Sequence, residues 1–321
     1  MRYESNCGLE PLKNLFRRQR LMERGDVGQY DYRAILFAST GVLRGVDGGG
    51  RARALERYKL NRMFTHVVGS STGAAMTLFF LAEQIHKHLN MYWVEAASKD
   101  FVDFWRFPNT ERPIEDTNFL CKEFRRKLNH GAVIAAPAEF YVGVTCAITG
   151  KGLFLNAKKV KPDVVTAIEA SISIPGLCGG PVFVDGHPYY DGAGAMGMPT
   201  REIIEQFGPT DLLIFANCSN ENKTSILGQI VTGLLLMQQP LPVQKAFLTR
   251  NKRFAEGIRY LREEAQCRWA IVWSDDNIGQ YERDPQKLEA TANRADEHFS
   301  CLLDQAKAEV NQEKALSLAA Q

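Results

Sequence analysis

A serine flanked by glycines, Gly69-Ser70-Ser71-Thr72-Gly73, separates the apolar run Phe64–Val68 from a long apolar stretch between Thr72 and His88. A strand that turns sharply into a helix through such a segment needs small residues on both sides of the bend, and Gly69 and Gly73 supply them. Ser71 is then lifted out at the helix N-terminus, where unpaired N–H groups and the helix dipole favour a developing oxyanion. The bland alternative is a Ser/Gly-rich turn in which Ser71 only caps the helix.

A serine hydroxyl needs a general base to act as a nucleophile. The chain order Ser71, Asp191, His298 fits a Ser-Asp-His esterase of α/β-hydrolase type. Two features oppose it: only one clear strand precedes Ser71, and His298 sits in a charged helical stretch with Arg294, Asp296 and Glu297. Nor do the other histidines make good bases. His66 lies in an apolar strand, His86 and His88 at a polar helix end, His130 before a loop glycine and His187 just after Asp185-Gly186. A carboxylate is the alternative. Asp185-Gly186 between two short apolar runs predicts a hairpin turn, which accounts for Asp185 structurally. Asp191 ends the second run and precedes Gly192-Ala193-Gly194, small residues that leave room beside a carboxylate. Asp191 is therefore the base of choice. No ligand cluster for a metal is visible, and the chemistry calls for no cofactor.

The elements that must position these groups follow from apolar patterning. Ala34–Ala38 and Phe64–Val68 read as strands separated by a helix around Arg51–Tyr58, with a helix over Thr72–His88 after them. This β-α-β-α order implies parallel strands with right-handed crossovers. Phe140–Thr149 and Gly152–Ala157 read as strands joined by a tight turn, and Pro162–Ser173 as a helix. Leu212–Asn217 and Trp269–Trp273 complete a sheet of six strands, and the tail from Pro285 is helical and charged.

The 321 residues are 45% hydrophobic and 24% charged, with 39 basic against 37 acidic side chains. A net charge of +2 gives no electrostatic case for nucleic acid as a partner. The seven cysteines are scattered without a C-x-x-C pair, which disfavours a zinc site or a disulfide framework. The N-terminus has no apolar core of a signal peptide, and the apolar stretch Ile226–Met237 is too short to span a bilayer. A cytoplasmic protein is expected. Residues 1–30 read as a basic extension, with Leu12, Leu15, Phe16 and Met22 near helical spacing. Its helix either packs on its own domain or lies on an anionic membrane surface. Residues 31–217 form the expected catalytic core, and residues 218–321 a mostly helical part of the same domain.

These motifs together resemble the patatin-like phospholipases, particularly the bacterial group. The elbow Gly69–Ala75 is similar to the family's G-x-S-x-G. Asp191-Gly192-Ala193, with Pro199 beyond it, resembles the family's Asp-Gly-Gly/Ala segment, and Ala170-Ser171-Ile172-Ser173-Ile174-Pro175 its Ala-Ser-x-x-x-Pro stretch. The likeness covers residues 33–217, with a fainter echo around Trp269–Leu288. It implies a three-layer α/β/α fold with a mostly parallel central sheet and a Ser-Asp dyad. The family's glycine-rich oxyanion loop aligns with Thr40-Gly41-Val42-Leu43-Arg44-Gly45, where Gly41, Arg44 and Gly45 match and Thr40 and Val42 replace glycines. A literal Asp47-Gly48-Gly49-Gly50-Arg51 lies just downstream as an alternative.

The resemblance thus implies a lipid acyl hydrolase of phospholipase A or esterase type. Ser71 would be the nucleophile, Asp191 the base, and Gly41 and Val42 the oxyanion donors. Lipid esters would be the substrate, with transient contact to a membrane surface. The altered glycine loop motivates a second reading, a catalytically silent lipid-binding module. Ile226–Val243 and the aromatics Trp93, Phe101, Phe104 and Trp105 either face lipid or pack in the core.

Overall fold

Every position of Ala34–Ala38 is apolar because both faces of that strand are covered. Leu36 and Ala38 join the core on one side of a sheet, and Ile35 and Phe37 the core on the other. The computed structural model describes residues 2–26, 32–106, 112–218, 233–275 and 278–319.

Among the described residues there are nine strands, β1 (Arg2–Ser5), β2 (Ala34–Ala38), β3 (His66–Ser70), β4 (Glu139–Cys146), β5 (Gly152–Asn156), β6 (Val182–Val184), β7 (His187–Asp191), β8 (Asp211–Ala216) and β9 (Arg268–Trp273). They form one sheet in the order β1-β9-β8-β2-β3-β4-β7-β6, with β5 also on β4. The five central strands from β9 to β4 are parallel. At one edge β1 runs antiparallel to β9, and at the other β5, β7 and β6 form antiparallel pairs.

Among the described residues the helices are α1 (Glu10–Arg24), α2 (Gly45–Arg57), α3 (Thr72–Leu81), α4 (Ile85–His88), α5 (Thr117–Lys127), α6 (His130–Ala135), α7 (Val164–Ile172), α8 (Thr200–Phe207), α9 (Leu241–Leu248), α10 (Arg250–Glu263) and α11 (Pro285–Ala319). α1, α2, α3, α7 and α11 bury Leu12, Leu55, Leu78, Ile168 and Phe299 in the first core. α8 and α10 bury Ile203, Phe207, Ile258 and Leu261 in the second. The result is a three-layer α/β/α fold with a mostly parallel centre, as the sequence leads one to expect.

Several expectations need correction. The sheet has nine strands rather than six: the Asp185-Gly186 hairpin joins it as β6 and β7, and β1 is too short and polar to announce itself. The helix expected over Thr72–His88 stops at Leu81 and resumes at Ile85, because the chain turns at Glu83 with φ of 57°. α2 begins at Gly45 rather than near Arg51.

The N-terminal helix packs on its own domain, one of the two alternatives its sequence leaves open. α1 buries Leu12, Leu15 and Phe16, and its basic residues are occupied: Lys13 and Arg17 pair with Glu10 and with Glu313 of α11. Arg20 donates to the Val310 carbonyl. Those engagements draw α1 onto α11. Among the described residues, no helix is long and apolar enough to cross one.

Candidate active site

Register along one strand brings the two key residues together. On β4, Gly143 lies opposite Ser70 of parallel β3, and the next residue, Val144, lies opposite Asp191 of antiparallel β7. β7 therefore takes over the edge of β4 where β3 ends, so the residue after Ser70 emerges beside Asp191. Ser71 Oγ donates a hydrogen bond to Asp191 Oδ2 at 2.7 Å.

The bend between β3 and α3 is strained, with Ser71 at φ 55° and ψ −126°, a conformation that non-glycine residues rarely adopt. Its glycine neighbours are there for space. A Cβ on Gly73 would run into the Ala38 carbonyl, and one on Gly69 into the backbone of Ala74. Gly192 is equally constrained, against Ser70 Oγ and the Gly143 carbonyl.

The Ser171–Ile174 stretch at the end of α7 fixes both partners. Ser71 N–H donates to Ser171 Oγ at 2.8 Å, and that hydroxyl donates to the Gly143 carbonyl at 2.7 Å. Asp191 N–H donates to the Ser173 carbonyl at 2.9 Å, and Thr145 Oγ1 donates to the Asp191 carbonyl at 2.8 Å. Ser171 had no role assigned from the sequence beyond resemblance. The available signal was a serine on the buried, apolar face of α7, where an unpaired hydroxyl would be costly.

Asp191 is completely buried, and burial pushes its carboxyl up to about 7. Hydrogen bonds from Ala193 N–H (2.6 Å) and Ser71 pull it back down; the charge of buried Glu115 pushes it further up, and Arg250 opposes that. Such a group is ionised above neutral pH and ready to accept a proton. Glu115 is itself raised by burial, with Tyr281 Oη donating to its Oε1 at 2.8 Å. Asp185 is elsewhere: it is exposed and turns β6 into β7, with φ of 49° followed by 80° at Gly186.

None of the six histidines bonds to Ser71 or Asp191. His298 is on α11 with Nδ1 4.0 Å from Asp275 Oδ2, and His187 is exposed at the start of β7. The Ser-Asp-His reading fails on that geometry. Among the described residues, no group of three His, Cys, Asp or Glu could hold a metal ion.

Gly41 and Val42 border the same space as Ser71 and Asp191. Val42, at φ 52°, opens a short 3-10 turn through Arg44. Among the described residues neither N–H of Gly41 nor that of Val42 meets a protein acceptor, whereas Leu43 N–H donates to Gln280 and Arg44 N–H to Gly41. Arg44 Nε reaches the Ile278 carbonyl at 3.3 Å, tying the loop to the segment after β9. Gly45 begins α2 tight against Thr72 and Tyr92.

The downstream triple glycine has a different use. It lies inside α2, where a side chain on Gly50 would strike Ala292 of α11. Asp47 and Arg51 form a buried pair there, with Arg51 donating to the Val272 carbonyl at 2.7 Å and Ser274 Oγ donating to Asp47 at 2.7 Å. That run ties helix to strand ends and lines neither of the spaces that open at Ser71.

Two spaces meet at Ser71. One is a narrow apolar channel running down α3 past Ala75, Met76 and Phe79 towards Leu89 and Phe124. The other is a wider, more polar cavity of about 1610 Å³ out to its mouth, bordered by Thr40, Asn217, Arg250 and Tyr281 as well as Asp191. Val42, Ser71 and Ile174 line both. Of the candidate lipid-facing aromatics, Phe101 is buried on the channel, Phe104 borders the cavity and Trp105 is 90% exposed. From the stretch Ile226–Val243, residues up to 232 lie outside the described residues, while Leu235 and Leu236 border the cavity.

The patatin-like phospholipase family model matches residues 36–204, more than half of the chain. The chain belongs to the patatin-like phospholipase family. The matched span runs from β2 through the elbow and Asp191 to α8. This family acts on lipid esters. Solved structures similar to this patatin-like chain include VipD from Legionella pneumophila, at 11% identity and a TM-score of 0.43 over 86% of this chain and 67% of that one. Another is ExoU from Pseudomonas aeruginosa, solved with SpcU, at 12% identity and a TM-score of 0.35 over 86% of this chain and 60% of that one. No curated protein matches the chain.

Proposed function

We propose that this patatin-like chain is a lipid acyl-ester hydrolase working through Ser71 and Asp191 without a histidine between them. One observation carries the reading: Ser71, bonded to a buried carboxylate, stands where an apolar channel meets a polar cavity. An ester carbonyl at that junction has its acyl chain in the channel and its alcohol portion in the cavity. Asp191 takes the Ser71 proton as Oγ attacks the carbonyl, and the N–H groups of Gly41 and Val42 receive the oxyanion. The proton passes to the leaving alkoxide as the ester C–O bond breaks. Water then attacks the acyl-enzyme, giving its proton to Asp191, and the carboxylic acid departs as Ser71 Oγ recovers a proton.

A second reading, a silent lipid-binding module, draws on Val42. A β-branched residue in left-handed backbone is strained, and a misaimed oxyanion donor costs roughly 3–4 kcal/mol of transition-state stabilisation. Fluorophosphonate labelling separates the two. The hydrolase reading expects the wild-type protein to label and Ser71→Ala to stay unlabelled; no labelling of either, with lipid still bound, would establish the silent module.

A further inference from the structure

The cavity on the alcohol side of Ser71 holds a cation that no described residue bonds. Arg250 is the first residue of α10, half-buried, and borders the same space as Ser71, Asp191 and Asn217. Among the described residues its guanidinium has no hydrogen-bond or ion-pair partner. Two other arginines, Arg51 fully buried and Arg268 exposed, show the contrast. Arg51 bonds Asp47 and the Val272 carbonyl, and Arg268 grips Asp211 through two bonds of 2.7 and 2.9 Å. Arg253, one helical turn beyond Arg250, donates to the carbonyls of Gly194 (3.0 Å) and Ala246 (3.3 Å). That pair of bonds pins the start of α10 to the loop following Asp191, so Arg250 is held in place while its own donors stay unused.

Withdrawing an unpaired guanidinium from water is unfavourable unless something compensates. Burial pulls Arg250 below its ordinary range, and the nearby Asp191 carboxylate offsets part of that. During acylation the negative charge moves from Asp191 to the oxyanion held by the Gly41 and Val42 N–H groups, so neither gives the Arg250 donors a hydrogen-bonding partner of their own, whereas a phosphate on the substrate does. A planar fork of five N–H donors suits a phosphate, which it can engage through two parallel bonds.

Building on the proposed hydrolase, we infer that Arg250 is the anchor for the phosphodiester of the lipid substrate, so that the cavity selects phosphate-bearing lipids over neutral acylglycerols. The apolar channel lies on the other side of Ser71 and takes the acyl chain. The glycerophosphate portion then falls in the cavity that Arg250 borders. Arg44 is a weaker candidate for this role because its Nε already holds the Ile278 carbonyl.

The test compares phosphatidylcholine with diacylglycerol of identical acyl chains in the same mixed micelles, for wild type, Arg250→Gln and Arg250→Lys. Arg250→Gln is expected to lower the phospholipid-to-diacylglycerol ratio of kcat/KM at least tenfold, mostly through KM, with Arg250→Lys recovering part of it. Equal loss on both lipids, or an unchanged ratio, overturns the inference. A second arm needs no turnover: calorimetric binding of monomeric short-chain phosphatidylcholine to Ser71→Ala and to Ser71→Ala/Arg250→Gln. At least tenfold weaker binding in the double variant supports the anchor, and equal binding rejects it. Competition by inorganic phosphate that is as strong as by the lipid would also reject it, since the site would then be a free-anion site. If the wild type neither labels with fluorophosphonate nor turns over either lipid, the hydrolase reading fails, and the binding arm still decides Arg250.

Discussion

The channel and the cavity share Val42, Ser71 and Ile174 yet are built by opposite rules. The channel is walled by apolar side chains of α3, α4 and α5 with few polar groups, Glu115 and His88 among them. The cavity collects loop residues and the start of α10, with amides, hydroxyls and two arginines. Apolar walls reward methylene burial at roughly 0.8 kcal/mol per buried group and hardly discriminate beyond length. Polar walls discriminate sharply, because a substrate lacking the matching group leaves a buried donor unpaired. Chain length should therefore be read in the channel and headgroup in the cavity, with the chemistry common to both at the junction.

The largest expected effects fall where the two spaces meet. Ser71→Ala should remove ester turnover with both spaces intact, and Asp191→Asn should lower it by about a thousandfold or more, losing its base. Hydrolysis of a soluble p-nitrophenyl ester measures both. In the wild type, turnover is expected to rise with pH through about 7 and level off above it, since only ionised Asp191 accepts the proton. A profile flat from pH 5 to 9 would exclude Asp191 as the titrating base.

Stability has the opposite sign. The folded Asp191 carboxyl titrates above its unfolded value, so between about pH 4 and 7 the native state holds a proton that the unfolded chain has lost, and stability falls as pH rises. Asp191→Asn escapes that penalty. Its Tm should match wild type near pH 4 and exceed it by several degrees at pH 8, as read by thermal melts.

How much of this site the sequence discloses depends on whether a residue's job is local. The elbow was legible because a strand, a helix and two small residues adjoin one another within Phe64–Leu81. Asp191 was separable from Asp185 because a Asp-Gly hairpin explains one acid and not the other. The register that sets Asp191 beside Ser70 was not legible, since it depends on β7 replacing β3 along β4. Arg250 and Ser171 were missed for the same reason: each acts across more than fifty residues of chain, on a partner that only folding supplies. The triple glycine carried the opposite lesson. It matches a loop motif on paper, but α11 needs close approach to α2 there.

A narrower change would sharpen the channel alone. Ala75 lies one turn along α3 from Ser71 and lines the channel near its junction. Ala75→Phe fills that space, at about 1–3 kcal/mol of stability if the neighbours must shift. Long-chain esters should lose about tenfold in kcat/KM relative to butyryl esters, while fluorophosphonate labelling of Ser71 persists. Equal loss at every chain length would mean that the channel does not hold the acyl group.

The mildest test addresses the wall between the two spaces. Val42 pays for its left-handed backbone with about 1–2 kcal/mol of steric strain that glycine would not feel. Glycine loses some of this back through greater freedom in the unfolded chain, about 0.5–1 kcal/mol, and through lost apolar contact. Val42→Gly is therefore expected to leave the Tm within a few degrees of wild type. Its backbone N–H can then settle towards the oxyanion, and p-nitrophenyl ester turnover should rise several-fold. Chain-length preference should loosen at the same time, because the Val42 side chain borders both channel and cavity. Slower turnover with sharper selectivity would mean that the valine backbone is already well aimed, and that its strain holds the donor in place.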